Sequence, residues 1–274
     1  MIRMRTLGSL LALSTISLLL ARPAAQAQQQ SPVDFLRGNT AQAILNPLTF
    51  SYSTNTSLHV INTGSPDTEA TIRAVVPATK GSVSLSGTSY ELKQFHFHAE
   101  AEHLRDGFVF PMEMHMVHAD AGGNLLVVGR WIEESAADNP VFADMFSHLP
   151  ATSANTYDIA SFNLNDLIPG DLSSFRYPGS LTTAPYTEGV SWVVLDAPLS
   201  LSHAQITAFE ALFPDGDARE VQALNGRVVR TDVIGFATPE PGAYGLFIGL
   251  ATVGAGMLRR RRQRTSAKRI MAGS

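Results

Sequence analysis

Gln94–His118 reads QFHFHAEAEHLRDGFVFPMEMHMVH and holds five of the chain's eight histidines, His96, His98, His103, His115 and His118, with Glu100, Glu102 and Glu113 among them. Side chains alternate between faces along a β-strand, so His96 and His98 share one face while Phe95 and Phe97 enter the opposite layer. The run MEMHMVH alternates likewise and groups Glu113, His115 and Val117. A neighbouring antiparallel strand can then bring His115 up as a third nitrogen. Three neutral imidazoles with an open fourth position make the donor set of a catalytic zinc site. His103 and His118 are expected to be structural, His118 because alternation turns it away from His115. His148 and His203 are expected at helix ends on the surface.

A lone HxH in a strand is most often surface or core histidine, and the second histidine-bearing strand is what favours a metal. His96, His98 and Glu102 also have the HxHxxxE spacing of cupins, which would make Glu102 a direct ligand of iron or manganese in an oxygenase. That pattern wants glycine six residues before the first histidine and seven after the glutamate, where Tyr90 and Val109 stand.

Both ends read as addresses. Arg3 and Arg5 precede an apolar run from Leu7 to Leu20, and Ala25-Gln26-Ala27 has the small-x-small form of a signal-peptidase site, which predicts a signal peptide over 1–27. Near the other end, Pro239-Glu240-Pro241 leads into an apolar stretch from Gly242 to Leu258, and Arg259–Arg262 and Arg264 follow. The stretch is at the short limit for a membrane span, and its basic flank would stay cytoplasmic. This order over 237–274 resembles the PEP-CTERM sorting signal, which implies an exosortase-type processing enzyme; a plain membrane anchor is the alternative. The expected location is the periplasm or cell surface of a Gram-negative bacterium, with membrane contact only through the C-terminal segment. Residues 28–258 carry ten basic and twenty-four acidic side chains, net −14 with histidine neutral, which argues against nucleic acid as a partner. Cysteine is absent, so neither a disulfide nor a thiolate ligand is available.

Between the ends, short β-rich runs at Leu58–Ile61, Ala70–Val76 and Ser82–Leu85 precede the histidine strands. Gly122-Gly123 marks a turn that makes Met112–Ile132 a hairpin. Asn139–His148 is a candidate short helix, and Ser202 with Gln205 forms a capping-box signature ahead of Ile206, Phe209, Leu212 and Phe213. Many strands and few helices predict a mainly β (α+β) single domain over 28–236.

QSPVDF (Gln30–Phe35), QFHFHAEAEH (Gln94–His103), PMEMHMVH (Pro111–His118), YPGSLTTAPYTEGVSWVVL (Tyr177–Leu195) and LNGRVV (Leu224–Val229) together resemble the alpha-class carbonic anhydrases. The resemblance implies a large twisted, mostly antiparallel sheet with a few short peripheral helices, and Zn2+ held by His96, His98 and His115. It also implies reversible hydration of carbon dioxide to bicarbonate and a proton. A water on such a zinc loses its proton near pH 7 instead of near 16, an effect for which this family is the standard illustration. By the same resemblance Gln94, Glu113 and the backbone carbonyl of Asn225 orient the three imidazoles, and Thr182 donates to Glu102 so that its oxygen accepts from the attacking group. Val117, Val127, Leu181, Val190 and Trp192 would form the apolar substrate wall, with Thr183 at its edge.

Departures from the family pattern accompany it. Aligning STNTSLHV (Ser53–Val60) with the family's NxGHSxQV puts Thr56 where the proton-shuttling histidine stands, which predicts slow proton release, with His59 as a candidate substitute. Tyr186 follows Ala184-Pro185 where many bacterial relatives carry cysteine, so the usual disulfide is missing. The alternative function is a noncatalytic zinc-containing envelope binding protein on the same fold.

Overall fold

The computed structural model describes residues 28–64 and 70–237. The expected signal peptide, Pro-Glu-Pro motif, apolar segment and basic tail lie outside the described residues. Among those described, no helix is long and apolar enough to cross a membrane.

In chain order the strands are β1 (Asp34–Phe35), β2 (Thr40–Gln42), β3 (Leu48–Tyr52), β4 (Thr56–Asn62), β5 (Ile72–Val75), β6 (Gly81–Leu85), β7 (Thr88–His98), β8 (Leu104–Arg105), β9 (Met112–Ala119), β10 (Leu125–Ser135), β11 (Thr156–Phe162), β12 (Ser174–Ser180), β13 (Glu188–Ser202) and β14 (Val229–Thr231). Twelve of them form one sheet along the path β11-β4-β5-β7-β9-β10-β13-β12-β14-β2, with β3 and β6 joined to β7 at one side. Pairing is antiparallel except between β10 and β13 and between β14 and β2. β1 and β8 pair in parallel as a separate ribbon. The mainly β, mostly antiparallel architecture is as the sequence predicts.

Strand alternation produces two apolar layers. On one face Phe95, Phe97, Met112, Met114 and Met116 join Leu58, Val60 and Ile72 in the larger core. On the face that carries the histidines, Phe35, Trp131, Phe175, Tyr177, Trp192 and Val194 form a smaller aromatic core. Burial on both faces explains why β9 and the centre of β10 are nearly continuous in apolar or paired polar residues.

The hairpin forms where expected, with β9 and β10 antiparallel and His115 opposite Gly129. Its turn is closed by Asp120, whose Oδ1 accepts from the backbone N–H groups of Gly122 and Asn124. The helix expected over Asn139–His148 is shorter, α1 (Ala143–Ser147), because Asn139 spends its side chain on the Val141 N–H as a turn. α2 (His203–Glu210) starts on the predicted capping box: Ser202 Oγ accepts from the Gln205 N–H, and Gln205 Oε1 from the Ser202 N–H.

Candidate metal centre

The register of β7 and β9 pairs His96 with His115 directly, and His98 follows two residues on with its side chain on the same face. All three imidazoles are buried, and one nitrogen of each lies within 4.8 Å of the other two. The other nitrogen of each ring meets an acceptor. His96 Nδ1 donates to Gln94 Oε1 (2.8 Å), His115 Nε2 to Glu113 Oε1 (3.0 Å) and His98 Nδ1 to the Asp217 carbonyl (3.3 Å). Because each acceptor takes an N–H, the tautomers are set, and His96 Nε2, His98 Nε2 and His115 Nδ1 carry lone pairs toward one point. Burial lowers the His115 pKa to about 4 even with Glu113 opposing it, so the ring is neutral at pH 7. Three imidazole nitrogens held in this way fit zinc, for which they would be the protein ligands.

Glu113 serves two histidines. Its Oε1 also accepts from His103 Nδ1 (2.9 Å), and its Oε2 from the His103 backbone N–H (2.8 Å). Burial alone would push this carboxyl up, but His103 and His115 outweigh that and hold it well below the usual carboxylate range. Beyond it, the Tyr177 hydroxyl bridges His103 Nε2 (2.6 Å) and Ser31 Oγ (2.9 Å). His103, Glu113 and His115 are themselves close enough for a metal, but these hydrogen bonds already occupy the facing atoms. His103 is structural as expected, and its part in orienting His115 was not foreseen; the signal lay in His103 and Glu113 framing one turn.

Two expected contacts come out differently. Asn225 is exposed with its side chain bonded to the Gln28 carbonyl, and the carbonyl at His98 is that of Asp217, which the 212–219 loop lays against β7. Asp217 Oδ1 fixes that placement by accepting from the Ala99 N–H (2.8 Å). Thr182 is buried and lines a cavity together with Asp217, but no Thr182–Glu102 hydrogen bond forms. Glu102 Oε1 instead accepts from the Arg219 N–H (2.9 Å). Its Oε2, buried without a hydrogen-bond partner, lies 3.8 Å from His98 Nε2 and from His115 Nδ1.

The five apolar residues assigned to the substrate wall pack in one cluster. Val117, Val127 and Trp192 are register partners on β9, β10 and β13, and the Trp192 ring lies 4.8 Å from the His115 ring. Val190, Leu181 and Val117 pack in the same cluster. A cavity of about 730 Å³ is lined by Thr182, Thr183, Asp217, Asn62, Gly64 and Ala70 among others, and comes next to this cluster in the chain where Thr182 follows Leu181.

The residues compared with the shuttle motif are placed elsewhere. Thr56 opens β4 with its side chain buried on the face of Leu58 and Val60, away from the histidines. Asn62, Gly64 and Ala70 border the cavity instead, and the sequence from 62 to 70 holds no histidine. His59 points to the other face, through register with Val75 and then Gln94 the face of His96. It is half-exposed, stands outside the cavity lining, and its Nδ1 pairs with Asp158 Oδ1 at 2.6 Å. His118 is buried away from His115, bonded to Tyr52 Oη (2.6 Å), and His148 and His203 are exposed at helix ends.

A sequence model described as eukaryotic-type carbonic anhydrase matches residues 20–233. The carbonic anhydrase of Pectobacterium atrosepticum is 34% identical over 203 residues, 74% of this chain and 79% of that one. That of Klebsiella pneumoniae is 37% identical over 202 residues, 73% and 78% of the two chains. The solved alpha-carbonic anhydrase of Photobacterium profundum superimposes with a TM-score of 0.68 at 33% identity, covering 75% of this chain and 90% of its own. Sheet, histidine cluster and relatives agree, and the chain belongs to the eukaryotic-type, or alpha-class, carbonic anhydrase family.

Proposed function

We propose that hydration of carbon dioxide, the activity the family carries, runs here on a zinc ion held by His96, His98 and His115 in an exported protein that releases its proton slowly. The observation that carries the zinc reading is that each ring's remote nitrogen is engaged by an acceptor, Gln94, Asp217 or Glu113. Bound zinc supplies a Lewis acid that lets water ionise near neutral pH. The chain's own residues do the rest. Glu113 stays anionic and keeps His115 in one tautomer. Glu102 Oε2 is a buried acceptor in want of a donor, and the Thr182 hydroxyl is the donor we assign to it. A threonine that donates there can only accept on its other side, which aims the attacking lone pair. Val117, Val127, Leu181, Val190 and Trp192 offer the nonpolar substrate a dry surface, and Thr183 stands at the cavity edge.

Slow proton release rests on Asn62, Gly64 and Ala70, which border the cavity in a part of the sequence, 62 to 70, that holds no histidine. His59 is the substitute carrier, two strands from β7 and so about 10 Å across the sheet. Export rests on the sequence signals at both ends, handled by signal peptidase and an exosortase-type enzyme. The test is to strip the purified protein with a chelator, restore zinc, and follow turnover against imidazole buffer. Activity should return with about one zinc per chain and rise with imidazole. Full activity in the stripped protein would refute the zinc reading, and turnover indifferent to imidazole would refute slow release.

A further inference from the structure

Arg219 touches three parts of the active-site region at once. Its backbone N–H holds Glu102 Oε1 at 2.9 Å. Its guanidinium lies over the Tyr186 ring, 3.7 Å from the centroid, and donates through Nη1 to the Ser31 carbonyl (2.6 Å) and Gln30 Oε1 (3.1 Å). Tyr186 closes the 181–187 loop that carries Thr182: its N–H donates to the Thr183 carbonyl, and Leu181 N–H donates to Thr187. Gln30 Nε2 reaches back to the Tyr186 carbonyl (3.2 Å).

We propose that Arg219 and Tyr186 form a noncovalent latch in which Arg219 is a positioning residue, setting the Thr182 loop and Glu102 against each other. The chain has no cysteine with which to cross-link this loop. A guanidinium is suited to the substitute because its planar face stacks on the ring while its edge donates in fixed directions. The peptide of Arg219 fixes one Glu102 oxygen, and its side chain fixes the loop bearing the hydroxyl meant for the other. One residue therefore spans both ends of the gap that must close between Thr182 and Glu102. Arg219, Tyr186 and Thr182 all border the same cavity, so the latch sits at the site and not behind it.

The proposal rests on the hydration activity, and its test separates the two. Arg219→Gln and Tyr186→Leu each break the stack and leave the 219 N–H in place. Each should keep zinc at about one per chain and the cooperative unfolding of the parent, while kcat/KM for carbon dioxide falls about tenfold. Turnover at saturating substrate in high imidazole should fall less, and amide hydrogen exchange over 181–187 should quicken. Tyr186→Phe, which keeps the ring, should restore both readouts, and the double variant should be no worse than either single one. If Tyr186→Leu leaves kcat/KM and loop exchange at the parent values, the latch is wrong, even where Arg219→Gln fails to fold. Parent protein that binds zinc without hydration would sink the functional reading, yet loop exchange in Tyr186→Leu would still decide the latch.

Discussion

Glu113 accepts from His103 and His115 through one oxygen, and Gly129 lies opposite His115 because a methyl group there would come within 2.8 Å of that oxygen. Gly129→Ala should therefore push Glu113 off its partners. Glu113→Gln removes the charge directly and should weaken zinc binding about 10- to 100-fold. Chelator competition measures both, and parent-like affinity in Glu113→Gln would mean that His115 needs no fixed tautomer. Gln94 and Glu113 came with the family resemblance, and each stands two residues from its histidine on the same strand face. Asp217 was not, since it reaches His98 across 119 residues from a loop whose conformation no periodicity reports. LNGRVV drew the assignment to Asn225 instead, eight residues too far along.

At the scale of the element, β7 and β9 show their register in the alternation of Phe, His and Met, and the cluster follows from that alone. β4 and β5 were harder. Both are short alternating runs, and the motif comparison put Thr56 at the cavity, which β4 reaches only with its last residue, Asn62. Alternation tells which residues share a face but not how many residues a connection inserts before the next strand. The capping box, by contrast, is local chemistry and was readable in full. Ser202→Ala should cost about 1 kcal/mol by loss of the Gln205 N–H acceptor, measured as a fall in the urea midpoint. An unchanged midpoint would show that packing of Ile206 and Phe209 holds α2 without its cap.

The whole molecule should lose stability in mild acid. Burial lowers the His118 pKa to about 4, against about 6.5 in an unfolded chain. The unfolded state therefore binds the proton first, so the stability this histidine contributes is present above pH 6.5 and lost as pH falls toward 4. Between pH 7 and pH 5 that loss is about 2 kcal/mol, and His118→Gln should flatten the dependence in urea unfolding. An equal slope in the variant would place the effect elsewhere. The fold class was legible because the strand runs and turn residues dominate the chain from end to end. The account's central claim is that three buried imidazoles make this sheet an enzyme, and stopped-flow carbon dioxide hydration with zinc content on the same sample tests it most directly. Parent protein should hold about one zinc per chain and hydrate carbon dioxide, and His96→Ala should lose the activity. A parent that keeps its zinc but does not hydrate, or a His96→Ala variant as active as the parent, would contradict it.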